Sequence, residues 1–244
     1  MKLNCDMGES YGAWNMGADA QVMPYIDQAN IACGFHAGDP DVMSVTIALA
    51  KQYQVQIGAH PAYHDMQGFG RRSIAHSPAQ ITRLICYQVG ALDALCALHG
   101  TQLAYVKPHG ALYNDMMVDI GLFSAIIDAL ASFKQPLALM ILARPDLQAY
   151  QKIAASAGVT LLYEAFADRA YDDQGYLLSR KEPGALLSDP ALIKKQVQLL
   201  IDEQRVISVS GESIKLPVDT ICVHGDNPVA IHLISELRQL IINR

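Results

Sequence analysis

Seven short apolar runs, separated by longer stretches with apolar residues three and four apart, constrain this chain more than any other feature. The short runs are KLNC (2–5), ANIAC (29–33), VQIGA (55–59), LAYVK (103–107), LALMIL (137–142), TLLYEAF (160–166) and TICVH (220–224). Their length and composition predict buried strands. Between them DVMSVTIALAKQY, AQITRLICYQVGALDALCAL, IGLFSAIIDALASF, LQAYQKIAASA, ALIKKQVQLLIDEQ and VAIHLISELRQLI carry the helical spacing. Strand and helix in alternation predict a parallel sheet, because parallel neighbours need a crossover between them. Asp39-Pro40, Ser77-Pro78, Asp189-Pro190 and Asn227-Pro228 each set a capping side chain before a proline suited to the first helical position. VISVSGESIKLPVD (206–219) alternates around a Ser-Gly pair and predicts a hairpin inserted before the last strand. Seven βα units predict an α/β fold, an incomplete or distorted (β/α) barrel, with a doubly wound open sheet as the main alternative.

A chain of 244 residues that is 51% hydrophobic has material for a large core, and no linker, low-complexity stretch or repeat divides it. One domain, 1–244, is expected. A net charge of −6 and the lack of basic runs interleaved with aromatics argue against a nucleic-acid surface. MKLNCDMGES lacks the apolar region of a signal peptide and no run of 18 apolar residues occurs, so a cytoplasmic location and no membrane partner are expected. Cys5, Cys33, Cys86, Cys96 and Cys222 are odd in number and without CxxC spacing, which predicts free thiols rather than disulfides or a structural zinc site.

In either architecture ligands sit at the carboxyl ends of the strands. Nearly every strand ends there in ionisable residues: Asp6 and Glu9, His36 and Asp39, His60, Lys107 and His109, Arg144, Asp168 and Arg169, His224 and Asp226. Asp39 and Asp226 read as helix caps. The four histidines 36, 60, 109 and 224 hold equivalent places on four strands, each beside a Gly or Pro, and converging histidines predict a site where a single one would predict a core residue. His64, His76, His99 and His232 fall in loops or helices and carry no such pattern.

Single stretches add chemistry. In GFGRRS (68–73) two glycines admit close backbone approach to a ligand, and Arg71 and Arg72 offer forked donors for carboxylate or phosphate. Lys107 ends an apolar strand, where its amine needs a partner such as Asp6 or Glu164. HPAYH spaces His60 and His64 like a helical metal pair, but Pro61 argues against a helix there. Neither a G-x-G-x-x-G after the first strand nor a G-x-x-x-x-G-K-[ST] is found, so a Rossmann cofactor and a Walker-type nucleotide loop lack support. Histidines and carboxylates at a barrel mouth give a reaction class, proton transfer or hydrolysis, and no substrate.

LNCDMGE, ANIACGFHAGDP, IGAHP, GFGRR, VKPHGALYN, EAFADRAY, the later GYLLSR and PGA, and ICVHGDNPVA resemble, in order, the blocks of the LamB/YcsF family, from residue 3 to about residue 230. Cys5 stands where the family more often has a small residue, and His64 where a proline is usual; neither removes an ionisable group from the mouth. The resemblance implies a seven-stranded TIM-like barrel akin to the glycoside hydrolase/deacetylase group. It also implies ATP-dependent opening of the lactam 5-oxo-L-proline to L-glutamate, the 5-oxoprolinase reaction, in company with subunits B and C.

That reaction needs a group to activate water, cations for the substrate carboxylate and the departing phosphate, and donors for a developing oxyanion. Asp6, His36, His60, Lys107, His109 and Glu164 are the catalytic candidates, with Asp6 as general base and Lys107 and His109 as its electrostatic partners. Asn4, Glu9, Arg71, Arg72, Arg169 and His224 are the candidates for binding substrate and phosphate, with Arg71 or Arg169 as the anion clamp. Two other functions stay open: a metal-dependent, deacetylase-like hydrolase with Asp6, His36 and His60 around one divalent ion, and a non-catalytic regulatory or binding subunit. ATP is expected either on a partner or here, through Arg71, Arg72 and Lys107. The missing Walker loop favours the partner, with the insertion at 206–219 and the loop at 62–76 as candidate docking contacts.

Overall fold

The computed structural model describes residues 1–223 and 228–242, with the backbone alone for 228–232. Strands β1 (Lys2–Met7), β2 (Gln28–Ala32), β3 (Gln56–His60), β4 (Leu103–Val106), β5 (Ala138–Leu142) and β6 (Leu161–Phe166) are parallel and run in chain order around a barrel. A hairpin of β7 (Arg205–Ile207) and β8 (Ser213–Lys215) precedes β9 (Thr220–Cys222), which pairs with both β6 and β1 and closes the ring. This settles the choice between barrel and open sheet: an open sheet would leave β1 and β6 with free edges, and three residues of β9 fill both.

Helices α2 (Pro40–Gln52), α3 (Pro78–Leu98), α5 (Ile120–Ala131), α6 (Gln148–Ser156), α7 (Pro190–Glu203) and α8 (Pro228–Ile242) follow the predicted pattern. Asp39 accepts from the amides of Asp41 and Val42, Ser77 and Gln80 form a capping box, and Asp189 accepts from the amide of Ala191, so three of the four expected caps are made. The fourth, Asn227, lies outside the described residues. Two short helices escape the pattern, α1 (Asp19–Val22) and α4 (Gly110–Met116), because one or two turns give no measurable period. By length and composition alone α3 is apolar enough to cross a membrane; in the fold its Ile81, Ile85, Val89 and Leu92 are buried.

Two backbone features bring the mouth together. Gly38 has φ +80°, and a Cβ there would sit 2.9 Å from the carbonyl oxygen of Ala32, so the turn Gly34–Gly38 closes only with glycine and carries His36 inward. Gly58 makes space instead: a Cβ on it would lie 2.1 Å from the Tyr105 ring, which passes over β3 to reach Asn30 on β2.

Candidate active site

The residues at the strand ends surround a cavity of about 600 Å³. At its base a chain of alternating charge crosses the barrel. The Lys107 ammonium lies 2.9 Å from Asp6 Oδ1 and 2.8 Å from Glu164 Oε1, and also reaches Asn4 Oδ1 and Cys222 Sγ, each at 3.4 Å. Burial alone would drive its proton off, but Asp6, the Cys222 sulfur and Glu164 together hold its pKa well above the lysine range, so it stays charged. Asp6 Oδ1 also accepts from Asn30 Nδ2 at 2.8 Å, and Asn30 in turn donates to Asn4 Oδ1 and accepts from the Tyr105 hydroxyl at 2.7 Å. The carboxylate of Asp6 is therefore aimed and fixed.

Beside it lie three histidines. His60 Nδ1 is 2.7 Å from the carbonyl of Lys107, and His109 Nε2 is 2.9 Å from the carbonyl of Phe69. A carbonyl only accepts, so those two nitrogens carry the ring hydrogens, and His60 Nε2 faces His109 Nδ1 at 2.9 Å. His36 stacks on His109, centroids 3.7 Å apart, and its Nε2 is 3.2 Å from Glu9 Oε1. Burial first, and then the neighbouring imidazoles, push the pKa of His36 and of His109 well below the histidine range, so both rings are neutral at neutral pH. One ligand atom from each of Glu9, His36, His60 and His109 lies within 4.8 Å of every other, which makes this, among the described residues, the set of groups able to hold a metal.

The predicted residues divide by what they touch. Asp6, Glu9, His60, Arg71, Lys107 and His109 line the cavity, and so does Arg169. Glu164 and Asn4 lie below its floor, fully buried: Glu164 neutralises Lys107, and Asn4, expected to bind substrate, instead orients Asn30 and donates to the Thr220 hydroxyl at 3.0 Å. Glu9, expected to bind substrate or phosphate, lies with Oε1 3.2 Å from His36 Nε2 and 3.7 Å from His109 Nδ1. Arg72, also expected to bind phosphate, is turned away to the buried carboxylate of Asp65, to which its Nε donates at 2.9 Å. Arg169 spends its Nε and one terminal nitrogen on the carbonyls of Ala185 and Leu178; burial, then the charge of Arg180, lowers its pKa to about 10, leaving it a cation at neutral pH. His224 lies outside the described residues.

Other expectations change too. Of the alternative metal set, Asp6 gives its Oδ1 to Lys107 and Asn30 and lies with Oδ2 3.3 Å from His60 Nε2, while His36 and His60 cluster with Glu9 and His109. The glycines of GFGRRS bring the backbone against the protein's own side chains: a Cβ on Gly68 would meet Asp65 and Arg72, and one on Gly70, at φ +63°, would lie 2.8 Å from the His109 ring. His64 packs at a tilt against Phe35 and His99 bonds Ser44, and neither lines the cavity. Arg144 lies over the Tyr176 ring at 3.5 Å. The hairpin does not line the cavity; the hydroxyls of Ser208 and Ser210 in its turn donate to Asp173, bracing the loop after β6 whose Leu177–Lys181 stretch does line it.

Sequence reading missed Asn30, Tyr105, Asp19, Arg180 and Lys181. An asparagine inside the fully apolar run ANIAC is a signal for the first, because a polar group buried on both faces of a sheet needs a partner. Asp19, bonded to the amide of Gly8 at 2.8 Å, has its pKa raised by burial and lines the cavity from α1. Arg180 and Lys181 sit in an irregular loop without a period, and only the fold brings them to the rim.

The LamB/YcsF family model matches residues 1–244. A protein of Vibrio campbellii, named as the A subunit of 5-oxoprolinase, is 56% identical over 239 residues, covering 98% of this chain and 94% of that one. One of Pseudomonas putida, named as a second 5-oxoprolinase A subunit, is 52% identical over 237 residues, with 97% and 92% covered. The crystal structure of the lactam utilization protein from Thermus thermophilus superposes with a TM-score of 0.91 at 37% identity, covering all of this chain and 96% of the other.

Proposed function

The chain belongs to the LamB/YcsF family, and on that premise we propose that it is the A subunit of an ATP-dependent 5-oxoprolinase. In this reading 5-oxo-L-proline, ATP and two waters give L-glutamate, ADP and phosphate, in a complex with subunits B and C. The names of the relatives at 56% and 52% identity support the substrate, and the name of the Thermus protein, a lactam utilization protein, supports the ring.

The observation that carries the reading is the charge chain Asp6, Lys107, Glu164 at the base of the mouth. An unstrained lactam resists water, so its oxygen is first phosphorylated. A water losing its proton then adds to the activated carbon, the ring C–N bond breaks as the nitrogen takes up a proton, and the second water releases phosphate from the resulting γ-glutamyl phosphate. Asp6 stands at the cavity with Lys107 and Asn30 fixing Oδ1, and its other oxygen, Oδ2, 3.3 Å from His60 Nε2, takes the proton of the first water. Lys107 stabilises negative charge on the reacting carbon's oxygen. Arg71, Arg169, Arg180 and Lys181 line the same cavity and suit the substrate carboxylate and the phosphate. A purely structural chain has no use for such a buried ionic floor, whose members each cost free energy to desolvate.

The test is reconstitution. Glutamate release is assayed with this chain and both partners together, and with each of the three left out in turn. Activity only in the full mixture supports the reading, while glutamate and ADP appearing together from this chain alone would show that no partner is required.

A further inference from the structure

The geometry of the histidine cluster does not close with hydrogen bonds alone. His60 Nδ1 and His109 Nε2 give their hydrogens to backbone carbonyls, so the rings in their neutral form present bare lone pairs, His60 Nε2 and His109 Nδ1, to each other at 2.9 Å. Further acceptors press on the same point: Asp6 Oδ2 lies 3.3 Å from His60 Nε2, and Glu9 Oε1 lies 3.7 Å from His109 Nδ1. Lone pairs set face to face repel, and a cation among them turns the repulsion into bonding. Two carbonyls that hold imidazoles by their far nitrogens are also what orients metal-binding histidines.

We propose that Glu9, His36, His60 and His109 form a binding site for one divalent transition-metal ion of the zinc type, with the carbonyls of Lys107 and Phe69 fixing two of the rings. A tetrahedral ion with bonds of about 2.1 Å has ligand atoms about 3.4 Å apart. The separations of 2.9, 3.2 and 3.7 Å in this cluster straddle that value, and all four ligand atoms lie within 4.8 Å of one another. His36, now stacked parallel on His109, must turn out of the stack to bring its lone pair in plane with the ion. Three nitrogens and one carboxylate suit zinc, cobalt or nickel, and disfavour magnesium or calcium, which take oxygen shells. Glu9, His60 and His109 line the cavity, so a further position on the ion faces the space where a substrate oxygen or water would lie.

The full-length chain, stripped with a chelator and dialysed, is titrated with zinc and with cobalt(II). The expected result is one zinc per chain by elemental analysis and, for cobalt, visible d–d absorption that zinc abolishes. Glu9→Gln and His109→Gln each weaken zinc binding more than about tenfold, measured against a competing dye, while circular dichroism shows them folded. If His109→Gln does not fold, Glu9→Gln and the cobalt spectrum of the native chain decide. The proposal is overturned if the native chain takes up no stoichiometric metal and gives no cobalt spectrum, in which case the two rings share a proton, or if zinc binds the folded variants as tightly as the native chain. None of these readouts depends on the oxoprolinase reading.

Discussion

Replacing Lys107 with methionine keeps most of the side chain's volume and removes the charge that Asp6 and Glu164 share. Each ion pair is just under 3 Å long, worth about 6 kcal/mol of gross attraction at an effective dielectric of 20. Against the two together stand several kcal/mol for taking the ammonium out of water, recovered when it is removed. What remains in the variant is a fully buried Glu164 without its cation, next to Asp6 of the same sign. Breaking a buried pair in this way costs about 3–5 kcal/mol. For a chain of this size each kcal/mol moves the melting midpoint by about 2–4 °C, so a fall of about 6–20 °C is expected. Thermal and urea unfolding followed by circular dichroism measure it, and the double variant Lys107→Met/Glu164→Gln, which removes the orphaned charge as well, should regain most of the loss. A single variant within about 1 kcal/mol of the native protein, a difference in the range of ordinary surface changes, would refute the reasoning. So would a double variant no more stable than the single.

Asp6→Asn should fold normally and lower glutamate release by the reconstituted complex by about 10²–10⁴-fold, the usual worth of a general base; unchanged turnover would take Asp6 out of the chemistry. Gly58→Ala should cost about 1–3 kcal/mol by unfolding titration, since the added methyl falls 2.1 Å from the Tyr105 ring, and a native-like midpoint would show that the ring moves freely. All five cysteines are free, and only Cys86 is not buried, so a thiol reagent at pH 8 should label one site quickly and four only on unfolding. Burial raises the Cys33 pKa from 9.0 to about 12, so the folded chain keeps a proton that the unfolded chain gives up. Stability should therefore fall as pH rises from about 9 towards 12, and a midpoint that stays level across that range would contradict the assignment.

The order of strands and helices was legible in the chain because both periods are local. A run such as LALMIL or the spacing in ALIKKQVQLLIDEQ needs no knowledge of what packs against it, and Asp39, Ser77 and Asp189 mark helix starts within three residues. The same logic put Asp6, His60, Lys107 and His109 at one end of the fold, since all parallel strands share their carboxyl end. Which of them touch was decided by closure of the ring. Lys107 meets Asp6 101 residues away and Glu164 from β6, and His60 meets His109 across 49 residues, separations over which sequence spacing carries no distance information. Arg71 and Arg72 are neighbours with the same side-chain chemistry in the sequence. Yet the turn through Gly70 sends one to the cavity and the other to Asp65, because direction around a turn is set by backbone torsions and by the partner waiting there.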